Sequence, residues 1–329
     1  MANLRTPRKG SMQYWPRKRA ARIYPRVRYW ANVPTPGLLG FSGYKVGMTQ
    51  ITAIDNRKFS KNKGNECVYP VTIVECPPLK ILSVLFYKHD VTKWLLKKEI
   101  QFKADKELAR KLKLSKAQVS TPESLANIDL SAYDDVRVKV YTQPRLTGIG
   151  KKKPEVFEIG LGGKKEDKLE FIKQRIGKDI HVNEVLKPGM QLDIHAVSKG
   201  KGIQGPVKRF GVGIRSHKAE KTIRGPGSLG PWCGQGHIMY RVAHAGQMGF
   251  HTRTEYNKIL LKISDKPEEI NPNGGFLDYG LVKSDYILIK GSIIGSKKRL
   301  VRLNFATRPN KNFHTEAPSI ENVVVSTGQ

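Results

Sequence analysis

A run of glycines and lysines over residues 198–209 is the segment of this sequence best suited to chemistry, and that chemistry is the binding of phosphate groups. It reads Ser-Lys-Gly-Lys-Gly-Ile-Gln-Gly-Pro-Val-Lys-Arg and follows a predicted strand. Glycines let a backbone approach a phosphate chain closely, while Lys199, Lys201 and Lys208 supply positive charge. The run lacks Gly-Lys-Ser/Thr and has no helical pattern behind it, which disfavours a Walker-type nucleotide site. We therefore interpret it as part of a polyanion-binding loop.

The same basic, glycine-rich composition continues as far as residue 257 and predicts one long loop over residues 199–257. Trp232 lies among glycines and prolines without apolar neighbours at core spacing, so a projecting ring is favoured over a buried one. The other residues of this loop that could contact a polyanion are Arg209, Arg215, His217, Lys218, Arg224, His237, Arg241, Gln247 and Arg253.

Patterns for catalysis or metal binding do not appear in the sequence. His237, His244 and His251 are seven residues apart and have no carboxylates or cysteines at ligand spacing. The three cysteines form neither a Cys-x-x-Cys pair nor an even set, which favours free thiols in a reducing compartment. No Gly-x-Ser-x-Gly elbow and no His-Glu-x-x-His helix is present. The sequence therefore predicts no metal, no cofactor and no enzymatic activity.

The N-terminal residues 1–36 form a second basic segment, in which aromatic residues alternate with cations. Arginines for phosphates, with flat rings for unpaired bases, suit single-stranded or irregular RNA, and each stacked base contributes roughly 1–3 kcal/mol. The alternative is a disordered tail with incidental aromatics, but five prolines favour an extended conformation. The candidate contacts in this tail are Arg5, Arg8, Lys9, Trp15, Arg17, Lys18 and Arg19.

Net charge identifies the class of partner. The chain has 59 lysines and arginines against 28 acids, a formal charge of +31. Self-repulsion at that level disfavours a free compact monomer, and nucleic acid rewards basic residues through counterion release. A generically soluble basic protein is the alternative, although solubility needs only a modest charge. Because the loop and the tail also lack apolar periodicity, we expect their order to come largely from a partner.

The sequence also shows no pattern typical of a targeting signal. The first residues are basic and polar with no apolar run behind them, and no stretch approaches 18 apolar residues. We expect a cytoplasmic protein with neither a secretory signal nor a membrane span.

The elements that must position these segments are mainly strands. Strand-like patterns occur at residues 44–54, 71–76, 81–87, 190–198, 259–263, 286–289 and 300–305. Short strands at both ends of the chain predict one antiparallel β-barrel assembled from both halves.

The middle of the chain has a different pattern. Apolar residues at helical spacing predict helices over residues 103–114 and 164–176, and alternation predicts a strand at 136–140. Residues 88–185 also hold 15 of the 28 acids, the mixed charge of an ordinary solvated surface. We predict an α+β module inserted at residues 88–185, a barrel formed by residues 37–87 and 186–329, and an extended basic tail at residues 1–36.

The motif-bearing run resembles the signature of the large-subunit ribosomal protein L3 family. Nine positions agree at the family spacing: Leu186, Asp193, Ala196, Ser198, Gly200, Lys201, Gly202, Gly205 and Arg209. Two further blocks agree, at residues 43–49 and 245–249, and the tail is similar to the archaeal and eukaryotic branch. The chain departs from related eukaryotic members at Ile223, where they have a histidine before Arg-Gly, so no modification tied to that histidine is carried over.

This resemblance implies a translation-protein-type β-barrel with an inserted domain, and a tail and loop that enter large-subunit rRNA. It also implies binding near the 3′ end of the rRNA early in subunit assembly, and a loop that approaches the peptidyl transferase centre with Trp232 at its tip. The implied partners are this rRNA and neighbouring large-subunit ribosomal proteins. No membrane partner and no homo-oligomer are expected.

Two alternatives from other classes remain open at the level of sequence. A free RNA-modifying or chaperone-like factor would visit the ribosome transiently and would dissociate at moderate salt. A chromatin architectural protein is disfavoured, because the stacking aromatics suit RNA and no helix-turn-helix or basic-zipper pattern appears.

Overall fold

The computed structural model describes residues 7–57, 60–103, 105–113, 122–125, 128–230, 236–312 and 316–324. Its strands are β1 (Gly37–Leu38), β2 (Gly40–Ile54), β3 (Glu66–Glu75), β4 (Leu79–His89), β5 (Trp94–Gln101), β6 (Asp135–Thr142), β7 (Val156–Gly162), β8 (Gln191–Val197), β9 (Ile203–Gln204), β10 (Gly246–Gln247), β11 (Thr252–Ser264), β12 (Tyr286–Lys290), β13 (Leu300–Phe305) and β14 (Ile320–Val324). The α-helices are α1 (Lys165–Arg175), α2 (Val182–Val185) and α3 (Pro206–Phe210). The predicted mainly-β, antiparallel fold class is confirmed.

The largest sheet draws its strands from both ends of the chain. Its hydrogen-bonded order is β13-β8-β11-β12-β3-β2-β14, and β13 also pairs with β2. That additional pairing brings β13, at one end of this order, beside β2, which is next to the other end. A closed barrel requires such a pairing between its first and last strands. Each predicted strand in this sheet has an observed counterpart, because β-branched and aromatic residues alternate or run continuously through it.

Glycines on β2 let its neighbouring strands approach closely. A Cβ on Gly43 would lie 2.6 Å from the carbonyl oxygen of Glu75 on β3. A Cβ on Gly40 would lie 2.6 Å from the carbonyl oxygen of Leu303 on β13. Both contacts are with backbone, so any larger residue at either position would push the strands apart.

The second sheet holds a strand that the sequence analysis assigns to the barrel. Its order is β1-β7-β6-β4-β5, so β4 pairs with β5 and β6 rather than with β2 or β3. Residues 81–87 are predicted to belong to the barrel, whereas in the structure they form a strand of this second sheet. Pro77-Pro78 separates β3 from β4, and proline cannot donate a ladder hydrogen bond, so the chain leaves one sheet there and enters the other.

The helices of the middle region are confirmed in part. The prediction at residues 164–176 matches α1, on which Leu169 and Ile172 are buried. Among the described residues of the predicted 103–114 helix, the structure has only a 3₁₀ segment, Lys106–Arg110. Leu108 is its one buried residue and packs in a small cluster with Leu82 and Tyr141.

The chain divides into two compact units. The first comprises Met1–Ile23 and Val197–Thr252, and we call it the loop–tail unit. The second comprises Tyr24–Ala196 and Arg253–Gln329, and we call it the β unit. The predicted tail, inserted module and barrel boundaries stay a prediction.

Within the β unit, a buried arginine holds the chain that follows residue 23. Arg302 of β13 is fully buried, and its guanidinium donates to the carbonyl oxygens of Pro25, at 3.4 Å, and Glu158. Its Cζ lies 4.6 Å from the ring centroid of Phe157 and 5.5 Å from that of Trp30. Burial lowers the pKa of Arg302 to about 9. The side chain therefore stays charged at neutral pH, and backbone carbonyls and aromatic rings stabilise that charge.

After residue 23, the N-terminal stretch that is predicted to be an extended tail is packed on the protein. Tyr24 and Val27 are buried, and the Tyr24 hydroxyl donates to the carbonyl oxygen of Val156 at 2.6 Å. The spacing of Tyr24, Val27 and Trp30 is three residues. A polyproline-like chain has three residues per turn, so these side chains lie on the same side of it.

Candidate nucleic-acid interface

The loop–tail unit concentrates positive charge. By sequence it contains sixteen lysines and arginines and a single acid, Glu220, which leaves +15 of the total +31 in this unit. Apart from Arg17, the lysines and arginines in the part of this unit that the structure describes form no ion pair with a carboxylate. Its charge is therefore available to an outside anion.

Backbone pairing closes the base of the long loop. β9 pairs antiparallel with β10, with Gly246 opposite Gln204. The amide of Met248 donates to Gly202 O at 2.8 Å, and the amide of Lys201 donates to Met248 O at 3.0 Å. The two ends of the loop are thus joined by the chain itself, so part of the order expected from a partner comes from the protein.

Arg209 and Gln247 turn inward at this base. The Arg209 guanidinium donates from Nε to Gln247 O at 3.1 Å and from Nη1 to His244 O at 2.9 Å. Burial lowers the pKa of Arg209. The Gln247 side-chain amide donates to Gly249 O at 2.9 Å. Both residues are predicted RNA contacts, and in the structure the donors named here are bound to protein carbonyls.

A small aromatic cluster joins the tail to the loop inside this unit. Phe210 is only 7% exposed, and the Trp15 ring lies 6.2 Å from its centroid and 5.9 Å from that of Tyr240. Arg17 lies 4.4 Å above Phe210 and donates from Nη1 to Arg209 O at 3.1 Å. The predicted stacking of Trp15 on a base thus competes with packing on protein rings, and the prediction stays untested.

Two further arginines also have carbonyl partners. Arg215 Nη2 donates to Gly227 O at 2.8 Å and also to Pro226 O. Arg8 Nη2 donates to Arg241 O at 3.0 Å. These contacts span the loop and connect it with the tail, so both side chains stabilise the unit.

The remaining predicted contacts in the unit are mostly exposed. The exposed ones are Lys9, Lys18, Arg19, Lys199, Lys201, Lys208, His217, Lys218, Arg224, His237 and Arg241. Arg253 is half-buried on β11, in the β unit. Arg5 and Trp232 lie outside the described residues.

Sequence reasoning missed two features of this interface. Tyr240 is 69% exposed and projects beside Trp15, and its position next to Arg241 repeats the aromatic-cation pairing noted in the tail. Lys221 is exposed and has a φ of 63°, a left-handed conformation that a lysine rarely adopts. Only the first of these had a signal in the sequence.

Among the described residues, no group of three or more histidine, cysteine or acidic side chains could hold a metal ion. Within the same ranges, no helix is long and apolar enough to span a membrane. Cys67 and Cys76 are free thiols, and Cys233 lies outside the described residues.

Comparison with known proteins agrees with the motif. The family model for Ribosomal protein L3 matches residues 1–328. A protein of Methanothermobacter thermautotrophicus named large ribosomal subunit protein uL3 is 45% identical over 337 residues, which cover 100% of this chain and 99% of that protein. Proteins of the same name from Methanosphaera stadtmanae and Archaeoglobus fulgidus are 47% and 45% identical, each over 98% of this chain and over 98% and 97% of their own lengths.

Proposed function

This chain belongs to the ribosomal protein L3 family and is a structural constituent of the large ribosomal subunit, not an enzyme, and from that premise we propose that its loop–tail unit binds large-subunit rRNA. The observation that carries the proposal is the set of exposed cations in a unit whose sequence has one acid. Each phosphate neutralised by such a cation releases condensed counterions, which favours binding without any sequence-specific contact.

The exposed and the inward-facing cations have different roles in this proposal. Lys199, Lys201 and Lys208 project from the start of the loop and contact phosphates. Arg17 and Arg215 hold the loop and tail in the shape that presents those lysines. Exposed Tyr240 offers a ring on which an unpaired base can stack.

The family resemblance extends the proposal to a place in the subunit. We propose that the protein binds near the 3′ end of the rRNA, supports early subunit assembly, and braces the region near the peptidyl transferase centre with its long loop. Neighbouring large-subunit ribosomal proteins are the other proposed partners, and the ribosome in the cytoplasm is the proposed location. A contact role for Trp232 at the tip of the loop is part of the same proposal.

Sedimentation of a native lysate tests this proposal directly. The lysate is run through a sucrose gradient at roughly half-molar salt, a concentration that weakens phosphate contacts. We expect one copy of the protein per large-subunit rRNA in the subunit fractions. Recovery at the top of the gradient, or in substoichiometric amounts, would instead identify a transient RNA-modifying or chaperone-like factor.

A further inference from the structure

We infer that Arg209 and Gly246 form a clamp that sets the geometry of the loop's base, so that Arg209 acts on rRNA through the loop backbone and not through a phosphate. This inference rests on the proposed function, because it assigns one basic residue of the rRNA-binding loop a positioning role. Its position suits that role, since Arg209 lies in the last turn of α3, on the outgoing side of the loop, and Gly246 begins β10, where the chain returns.

The donors of the Arg209 guanidinium define the first half of the clamp. Nε and Nη1 donate to the carbonyl oxygens of Gln247 and His244, which lie on either side of Gly246. A planar guanidinium can donate to two such acceptors at once through its fixed arrangement of N–H groups. A lysine ammonium is a point charge on a flexible side chain and does not have that fixed arrangement of donors. The geometry therefore requires arginine specifically, and not merely a positive charge.

The space above Gly246 defines the second half. A Cβ on Gly246 would lie 2.9 Å from Arg209 Nη1 and 3.0 Å from Cζ, so the guanidinium rests directly on the glycine. Gly246 has no left-handed φ, so its backbone would accept alanine, and the close approach of Arg209 is the reason for glycine here. A methyl group at this position would displace the arginine from both carbonyls.

The neighbouring lysine offers a matched control within the same helix. Lys208 is exposed, while Arg209 is half-buried. Both carry one positive charge, yet only Arg209 is placed to hold the β9–β10 pairing. Removing charge at Lys208 and removing the clamp at Arg209 should thus have separable effects.

The test compares Arg209→Lys, Gly246→Ala and Lys208→Gln in the full-length protein. Hydrogen exchange is measured at residues 203–204 and 246–248, and the affinity for a large-subunit rRNA fragment is measured over a range of salt. The first two variants keep the net charge. We expect each to speed exchange at these residues and to weaken binding about tenfold, the effect of one or two lost hydrogen bonds, with the salt slope unchanged.

The expected behaviour of Lys208→Gln is the reverse. Its exchange should match wild type, while the slope of log affinity against log salt should fall by about 0.7–0.9, the value for one lost phosphate contact. The double variant Arg209→Lys with Gly246→Ala should be no worse than either single variant, because both break one clamp.

Wild-type exchange and affinity in Arg209→Lys would overturn the inference, since a phosphate contact tolerates lysine. Additive losses in the double variant would overturn it as well. Failure of the proposed function gives a different result, namely no salt-dependent RNA binding by the wild-type protein. In that case the exchange rates of Arg209→Lys and Gly246→Ala still decide whether the clamp exists.

Discussion

At the scale of single residues, buried ionisable groups show how the β unit tolerates charge near its core. His195 on β8 is paired across the sheet with Arg302 on β13, and its Nδ1 lies 2.9 Å from the Thr254 hydroxyl. Burial, and next the positive charge of Arg302, lower the pKa of His195 to about 4. The imidazole is therefore neutral in the folded protein at pH values where an unfolded chain would protonate it.

This difference predicts a loss of stability in acid. Between pH 6.5 and 4 the unfolded chain binds the extra proton, so the contribution of His195 is fully present above about pH 6.5 and is lost as the pH falls towards 4. The limiting slope is about 1.4 kcal/mol per pH unit. His195→Asn keeps a hydrogen-bonding partner for Thr254 without titrating, so urea unfolding should give it the shallower pH dependence. Parallel curves for the two proteins from pH 8 to pH 4 would contradict this assignment.

At the scale of elements, residue patterns predict strands well but not their partners. The alternation in β8, the isoleucines of β12 and the apolar and aromatic residues of β13 identified those strands with bounds close to the observed ones. The sheet to which β4 belongs depends on contacts with β5 and β6, which no local pattern reveals.

The candidate site was predictable to a similar extent. Composition identified the loop and the tail as basic, since charge can be counted in a sequence. It could not separate exposed Lys201 from inward-facing Arg209, because that difference depends on which carbonyl oxygens the fold places nearby. Sequence alone therefore predicts the class of ligand, and the structure assigns separate roles to the cations.

The aromatic cluster of the loop–tail unit gives a prediction at the scale of elements. Phe210→Ala removes the buried ring against which Trp15 and Arg17 pack, a change that costs roughly 3–5 kcal/mol in a packed core. Local opening should therefore expose the tail, and trypsin should cleave after Arg17 and Arg19 faster than in the wild type. Ile203→Ala, at a side chain that is 80% exposed in the same unit, should leave the cleavage rate unchanged. Equal rates for the wild type and Phe210→Ala would show that the cluster does not hold the tail.

At the scale of the whole molecule, charge is distributed unequally between the two units. About half of the net charge belongs to the loop–tail unit, which contains roughly a quarter of the residues. Charge alone would bind any polyanion, so preference for RNA must come from exposed rings and from the shape of the loop.

The exposed rings predict how the protein discriminates between nucleic acids. A structured large-subunit rRNA fragment should bind at least about tenfold more tightly than duplex DNA of equal phosphate number, because one stacked base contributes roughly 1–3 kcal/mol. The salt slopes for the two ligands should be similar, since the same cations are neutralised. Fluorescence anisotropy at matched salt would measure both quantities. Equal affinities would point to a general polyanion binder, as an architectural chromatin protein would be.

The pairing of β2 with β13 and β14 has a consequence for how the protein is made. Translation proceeds from the N-terminus, so β2 leaves the exit tunnel roughly 250 residues before β13 does, which at 5–20 residues per second is about 10–50 seconds. Throughout that interval one edge of β2 has no partner, and an open edge is a template for aggregation. We therefore expect the nascent chain to depend on protection of this edge until its last strands are made, and truncation before residue 300 should yield an aggregating product even though most of its strands are intact.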